Sequence, residues 1–103
     1  MQLHEFKRVT IVAEAVLEKR ITADLERLGA SGWTILEARG SGSRGERGDD
    51  VQGRNVQIET IVTEALAGRI LEHVTATYFR DFAVIAYADT VQVVRGSKYS
   101  RDA

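Results

Sequence analysis

At 103 residues, with 44 % apolar and 28 % charged side chains, the chain has the make-up of one soluble globular domain with a single core. A net charge of −1 provides no bulk attraction to nucleic acid or to an anionic membrane, and the absence of cysteine excludes disulfides, thiolate metal sites and cysteine nucleophiles. No apolar run approaches the ~20 residues of a membrane span, and Met1 to Phe6 does not read as the start of a signal peptide, so a cytoplasmic protein is expected.

Phe6 to Ala13 is β-branched and apolar, the pattern of a strand. From Ala15 the period changes: Leu17, Ile21, Leu25 and Leu28 form one stripe of an amphipathic helix, and Gly29 follows as its C-terminal cap. Gly32 to Ala38 reads as a second strand and Asn55 to Thr63 as a third. Thr63 is placed to cap a second helix whose buried stripe is Leu66, Ile70, Leu71 and Val74. Gly68 lies inside that helix, where close packing against a strand would account for it. Tyr78 to Phe82 reads as a turn, Ala83 to Ala88 as the fourth strand, Val91 to Val94 as a short fifth, and the tail from Ser97 as polar and frayed.

This order predicts an α+β ferredoxin-like βαββαβ sandwich, a four-stranded antiparallel sheet with two helices on one face. Strands with an open second face should alternate between apolar and polar. Here Val9 to Val12 and Ala83 to Ala88 carry apolar or small residues on both sides, so the second face is expected to be buried against other copies of the chain.

The connection from Arg39 to Arg54 holds five of the nine glycines and four arginines. Glycine amides can converge on an anion, and guanidinium groups match phosphate or carboxylate oxygens. Gly40-Ser41-Gly42-Ser43-Arg44-Gly45 spells G-x-G-x-x-G, but Glu46 to Asp50 does not open the helix a dinucleotide fold needs. A Walker A loop fails for want of Gly-Lys-Ser/Thr. What survives is an anion nest near Gly40, Gly42 and Ser43 with Arg44, Arg47 or Arg54 supplying charge, set against a plain polar linker. An RNA-recognition motif shares the strand order, but Asn55 to Val62 lacks the aromatics that stack bases.

Elsewhere the residues are less informative. His4 and His73 lack metal-ligand spacing, and no metal is expected. Glu59 among apolar neighbours reads as an edge charge or as a buried acceptor for a ligand's amine or hydroxyl. Asp49 and Asp50 read as acidic turn residues or as a magnesium site beside phosphates. Trp33 is expected in the core, and no catalytic set stands out.

The chain resembles the PII signalling family, and more closely its PII-like branch associated with carboxysomes and bicarbonate transport. The likeness spans about Lys7 to Arg95. It rests on Gly29-Ala30-Ser31-Gly32-Trp33-Thr34, on Gly40 to Arg44, on Asn55 to Glu59, and on Tyr78-Phe79-Arg80-Asp81-Phe82. The resemblance implies one PII-like domain over residues 1–103, with a T-loop at about 39–55 and a polar tail from about 97. It implies a homotrimer whose sheets face the central axis and which binds adenine nucleotide between subunits. Carried over, Gly32 and Thr34 lie against adenine, and Glu59 and Ile61 line the base pocket. Gly40, Gly42, Ser43 and Arg44 hold phosphate oxygens, and Arg95 reaches phosphate from the neighbouring chain.

The main PII proteins bind outer phosphates through a loop with glycine and lysine, absent from Tyr78 to Phe82 here. ADP or AMP is therefore expected rather than ATP with 2-oxoglutarate, and a loop without tyrosine offers no acceptor for uridylylation. The branch implies bicarbonate as co-ligand, with Arg44, Arg47 and Arg54 as candidates. It also implies a target such as a bicarbonate transporter or carboxysome-related protein, any membrane contact running through that target. The expected role is a non-catalytic sensor. The alternatives are a slow metal-dependent nucleotide hydrolase using Asp49 or Asp50, and a plain oligomeric scaffold.

Overall fold

The computed structural model describes residues 1–40 and 54–100. Its elements run β1 (His4–Glu14), a 3-10 turn (Ala15–Leu17), α1 (Glu18–Leu28), β2 (Thr34–Ala38), β3 (Asn55–Val62), α2 (Glu64–Tyr78), β4 (Ile85–Val93) and α3 (Gly96–Tyr99). The four strands form one antiparallel sheet in the order β2-β3-β1-β4. This is the expected ferredoxin-like arrangement.

Period-two alternation decides which strand residues meet the helices. Val9, Ile11 and Ala13 of β1 are fully buried, and Ile11 and Ala13 stand opposite Ile58 and Val56 of β3. Ile21 and Leu25 of α1 and Leu66, Ile70 and Val74 of α2 close over them in one core. Burying each such aliphatic side chain is worth about 1.5–3 kcal/mol. The helix ends follow local chemistry. Gly29 adopts φ 114° and its N–H donates to the carbonyls of Leu25 and Glu26, a conformation that costs a glycine little. Thr63 caps α2, its hydroxyl accepting from the Leu66 N–H at 3.2 Å.

Several expectations are corrected. The first helical turn from Ala15 is 3-10, and α1 proper begins at Glu18. Gly32 and Trp33 precede β2, and Trp33 is 36 % exposed rather than buried in the core. The fourth strand runs unbroken from Ile85 to Val93, paired with β1 from Val12 to His4, so the fifth strand is the far half of the fourth. Tyr78 ends α2 with 1 % exposure; it belongs to the core, not to a turn. Among the described residues a Cβ on Gly68 would meet nothing within 4 Å, so no described strand packs there. The tail forms the turn α3 over Gly96–Tyr99 before residues 101–103, which lie outside the described residues.

Asp24 ties α1 to α2. Its Oδ2 accepts from the Tyr78 hydroxyl at 2.5 Å and lies 3.0 Å from His73 Nε2, while Oδ1 accepts from Arg27 at 3.1 Å. Burial pushes the Asp24 carboxyl upward, but the donors from Tyr78, His73 and Arg27 outweigh it and hold the group below the usual carboxylate range. Burial, followed by the bond to Asp24, raises Tyr78 to about 12.

The opposite sheet face carries Leu36, Ile85 and Tyr87, each between 42 and 50 % exposed. Arg8 and Asp89 pair there across β1 and β4 through two hydrogen bonds of 3.1 and 2.8 Å, which lower the carboxylate's pKa. No helix among the described residues is long and apolar enough to cross a membrane.

Candidate functional site

β2 and β3 pair so that Thr34 stands opposite Glu59, which puts both side chains on the face away from the helices. Ile61 shares that face two residues further along β3. The segment leading into β2 is drawn against β3 by Thr60, whose hydroxyl donates to the Gly32 carbonyl at 2.6 Å. The result is an open cleft of about 220 Å³. Four residues expected around the base, Gly32, Thr34, Glu59 and Ile61, line it together. Ser31, Trp33 and Thr60 complete the sheet side.

Glu59 stands on an interior strand, since β3 lies between β2 and β1, which removes its reading as an edge charge. It is half-buried, and Gln57 donates to its Oε2 at 2.9 Å. A carboxylate held by Gln57 beside Ile61 and Trp33 suits an amine or hydroxyl donor on a bound ligand. Packing among the described residues does not demand a glycine at Gly32, because an added Cβ would meet none of their atoms within 4 Å.

Of the expected anion-binding residues, Gly40, Arg54 and Arg95 are among the described residues, and none of the three lines the cleft. Gly40 follows the end of β2 and Arg54 precedes β3, where Ala38 and Asn55 form the last pair before the long connection. That point is about 13 Å from Thr34 along the strand, at about 3.3 Å per residue. Arg54 is exposed, and its carbonyl accepts from the Ala15 N–H at 2.8 Å. Gly42, Ser43, Arg44 and Arg47 lie outside the described residues, as do Asp49 and Asp50. Arg95 is exposed and precedes α3, one turn from the cleft. Among the described residues no group of three or more His, Asp or Glu side chains is arranged to hold a metal ion.

Two lining residues escaped the sequence reading, Lys98 and Tyr99 of α3. The available signal was an aromatic residue within a polar tail.

Fold and cleft thus define a ferredoxin-like α+β sandwich with an opening beside its second and third strands. The chain belongs to the P-II family: the family model for nitrogen regulatory protein P-II matches residues 6–98. It is similar to a PII-like signalling protein from Thermus thermophilus, at 55 % identity and a TM-score of 0.84, over 96 % of this chain and 99 % of that one. It is also similar to CPII from Thiomonas intermedia in complex with ADP, AMP and acetate, at 27 % identity and a TM-score of 0.87, over 98 % of this chain and 100 % of that one. A second CPII structure, with ADP, AMP and bicarbonate, matches at 27 % identity and a TM-score of 0.86, covering 97 % and 98 % of the two chains.

Proposed function

We propose that this chain is a cytoplasmic, non-catalytic PII-like sensor that binds ADP or AMP, with bicarbonate as co-ligand, in the clefts between the subunits of a homotrimer. In this reading residues 1–103 are one PII-like domain. The nucleotide sets the conformation of its T-loop at about 39–55, and the T-loop controls a protein target in inorganic-carbon uptake or fixation. The observation that carries the proposal is the meeting of Gly32, Thr34, Glu59 and Ile61 in one cleft. They come from two segments separated by the whole Arg39–Arg54 connection. The ligands of the CPII structures supply the nucleotide class and the bicarbonate.

Adenine occupies the cleft, with Glu59 accepting from its amine or from a ribose hydroxyl. The phosphates extend along β2 towards Gly40, Gly42, Ser43 and Arg44, where amides and guanidinium groups neutralise them. Arg95 adds charge from the adjoining subunit. Bicarbonate takes one of Arg44, Arg47 or Arg54. The switch needs no bond-making: a ligand with higher affinity for one loop conformation shifts the population towards it. Leu36 on β2 and Ile85 and Tyr87 on β4, large hydrophobic side chains exposed at opposite edges of the open sheet face, support burial of that face in the trimer.

A thermal-shift screen of AMP, ADP, ATP and cyclic AMP, each with and without bicarbonate, tests the reading. Ligand at a hundredfold excess over Kd adds about 2.7 kcal/mol of stability. ADP and AMP should raise Tm most, bicarbonate should add to the shift, and no shift with any adenine nucleotide would overturn the assignment.

A further inference from the structure

The carboxylate of the cleft, Glu59, sits in a polar group drawn from three strands of the open sheet face. Gln57 lies two residues earlier on β3, hence on the same face, and its amide donates to Glu59 Oε2 at 2.9 Å. That bond leaves Oε1 to serve a ligand. Arg8 of β1 stands opposite Ile61, which makes it the diagonal neighbour of Glu59, at a Cβ separation of about 7–8 Å that a long side chain spans. An unrestrained arginine there would pair with the carboxylate. Arg8 is restrained by Asp89 of β4, which accepts from its Nε at 3.1 Å and from its Nη2 at 2.8 Å, a fork that matches the planar guanidinium. The hydrogen bonds and charge of Asp89 raise the Arg8 guanidinium above its ordinary range, and Glu59 adds to this more weakly. Two carboxylates thus compete for one cation, and Asp89 holds it.

We propose that Gln57 and Asp89 are positioning residues that keep Glu59 available to the bound adenine nucleotide: Gln57 fixes one carboxylate oxygen, and Asp89 holds Arg8 away from the other. This rests on the nucleotide-binding reading above and adds to it two residues that do not themselves line the cleft. A carboxylate forked by an arginine has its acceptor capacity spent and offers little to an amine or hydroxyl. A neutral amide is the better partner, because it fixes the group without neutralising it and leaves the charge for a ligand N–H or O–H. The residues across from Gln57 are Val12 on β1 and Leu36 on β2, whose apolar side chains offer its amide no competing acceptor. Its donor therefore turns along its own strand to Glu59.

The test uses the full-length chain, with ADP as probe in calorimetry and sedimentation as the check on assembly. Gln57→Met keeps the length of the side chain without the donor and should weaken ADP binding about fivefold. Glu59→Ala should cost about tenfold, and Gln57→Met introduced into it should change the affinity by less than about twofold, because no carboxylate is left to hold. Asp89→Ala releases Arg8 towards Glu59 and should weaken ADP binding about tenfold. Adding Arg8→Met to Asp89→Ala should bring the affinity back to within about twofold of the parent. All these variants should sediment as the parent does. Parent-like ADP affinity in both Gln57→Met and Asp89→Ala would overturn the inference and leave the nucleotide reading standing. A Gln57→Met loss that persists in full in Glu59→Ala would remove the role of Gln57, and an Asp89→Ala loss that Arg8→Met does not repair would remove that of Asp89. A loss accompanied by dissociation of the subunits would assign the residue to subunit contact instead. An unmodified chain that binds no adenine nucleotide would overturn both readings together.

Discussion

The hydroxyl of Thr60 donates to the carbonyl of Gly32 at 2.6 Å, linking residues 28 positions apart at the mouth of the candidate cleft. Thr60 itself is 2 % exposed, so its hydroxyl has few alternatives in water. Thr60→Val keeps the branched shape and removes the donor. We expect a stability loss of about 1–3 kcal/mol from the unpaired acceptor, together with weaker ADP binding because the Gly32–Thr34 segment is no longer held against β3. Urea unfolding and calorimetry on the same variant read the two effects. Unchanged affinity would show that this tether has no part in ligand binding.

The Asp24–Tyr78 contact gives stability two pH boundaries. Asp24 titrates in the folded chain below its ordinary 3.8, so its contribution is present above pH 3.8 and is lost as pH falls through the folded value. Tyr78 is raised from 10.0 to about 12, so its contribution is complete below pH 10 and drains away as pH rises towards 12. Tyr78→Phe should flatten the alkaline decline and cost about 1.5–3 kcal/mol at neutral pH, the range for a hydrogen bond to a charged group. Urea midpoints at pH 7, 9 and 11 for both chains would reveal it.

Gly68 is exposed on α2 with open space where a Cβ would go. Gly68→Ala should stabilise the fold by about 0.5–1 kcal/mol, through helix propensity and a less free unfolded chain. A lower denaturation midpoint would mean that the position serves a contact outside this chain.

In the proposed site, Arg44 supplies charge to the nucleotide phosphates. Arg44→Ala should weaken ADP or AMP binding by about 1.5–3 kcal/mol through loss of a charge-assisted hydrogen bond. It should also reduce any bicarbonate-dependent gain if the same guanidinium serves both anions. Calorimetry with each nucleotide, with and without bicarbonate, separates those roles.

Burial of the open sheet face predicts a trimer in sedimentation. Leu36→Asp combined with Tyr87→Asp places two carboxylates on a face whose apolar members are 49 % and 50 % exposed in the single chain. Dissociation to monomers with the helical side of the core intact is the expected result. A parent chain sedimenting as a monomer would remove the inter-subunit cleft from the proposal.

Sequence alone determined whatever depends on near neighbours. The α1 stripe, the Gly29 cap, the Thr63 cap and the strand-helix order were legible because each is set by side chains within one or two turns of the backbone they act on. Apolar residues on both faces of the strands likewise announced a second sheet face rich in exposed hydrophobic groups. Gly32, Thr34, Glu59 and Ile61 could be named from family likeness, yet their meeting in one cleft depends on the Thr34–Glu59 register across the Arg39–Arg54 connection. Only the tertiary structure decided that Trp33 faces the cleft, that Tyr78 is core, that no described strand packs on Gly68, and that Lys98 and Tyr99 of the tail return to line the cleft. Those outcomes rest on contacts between distant segments, such as Gly96 on His4 and Tyr99 on Phe6. Local periodicity carries no record of a partner at the other end of the chain.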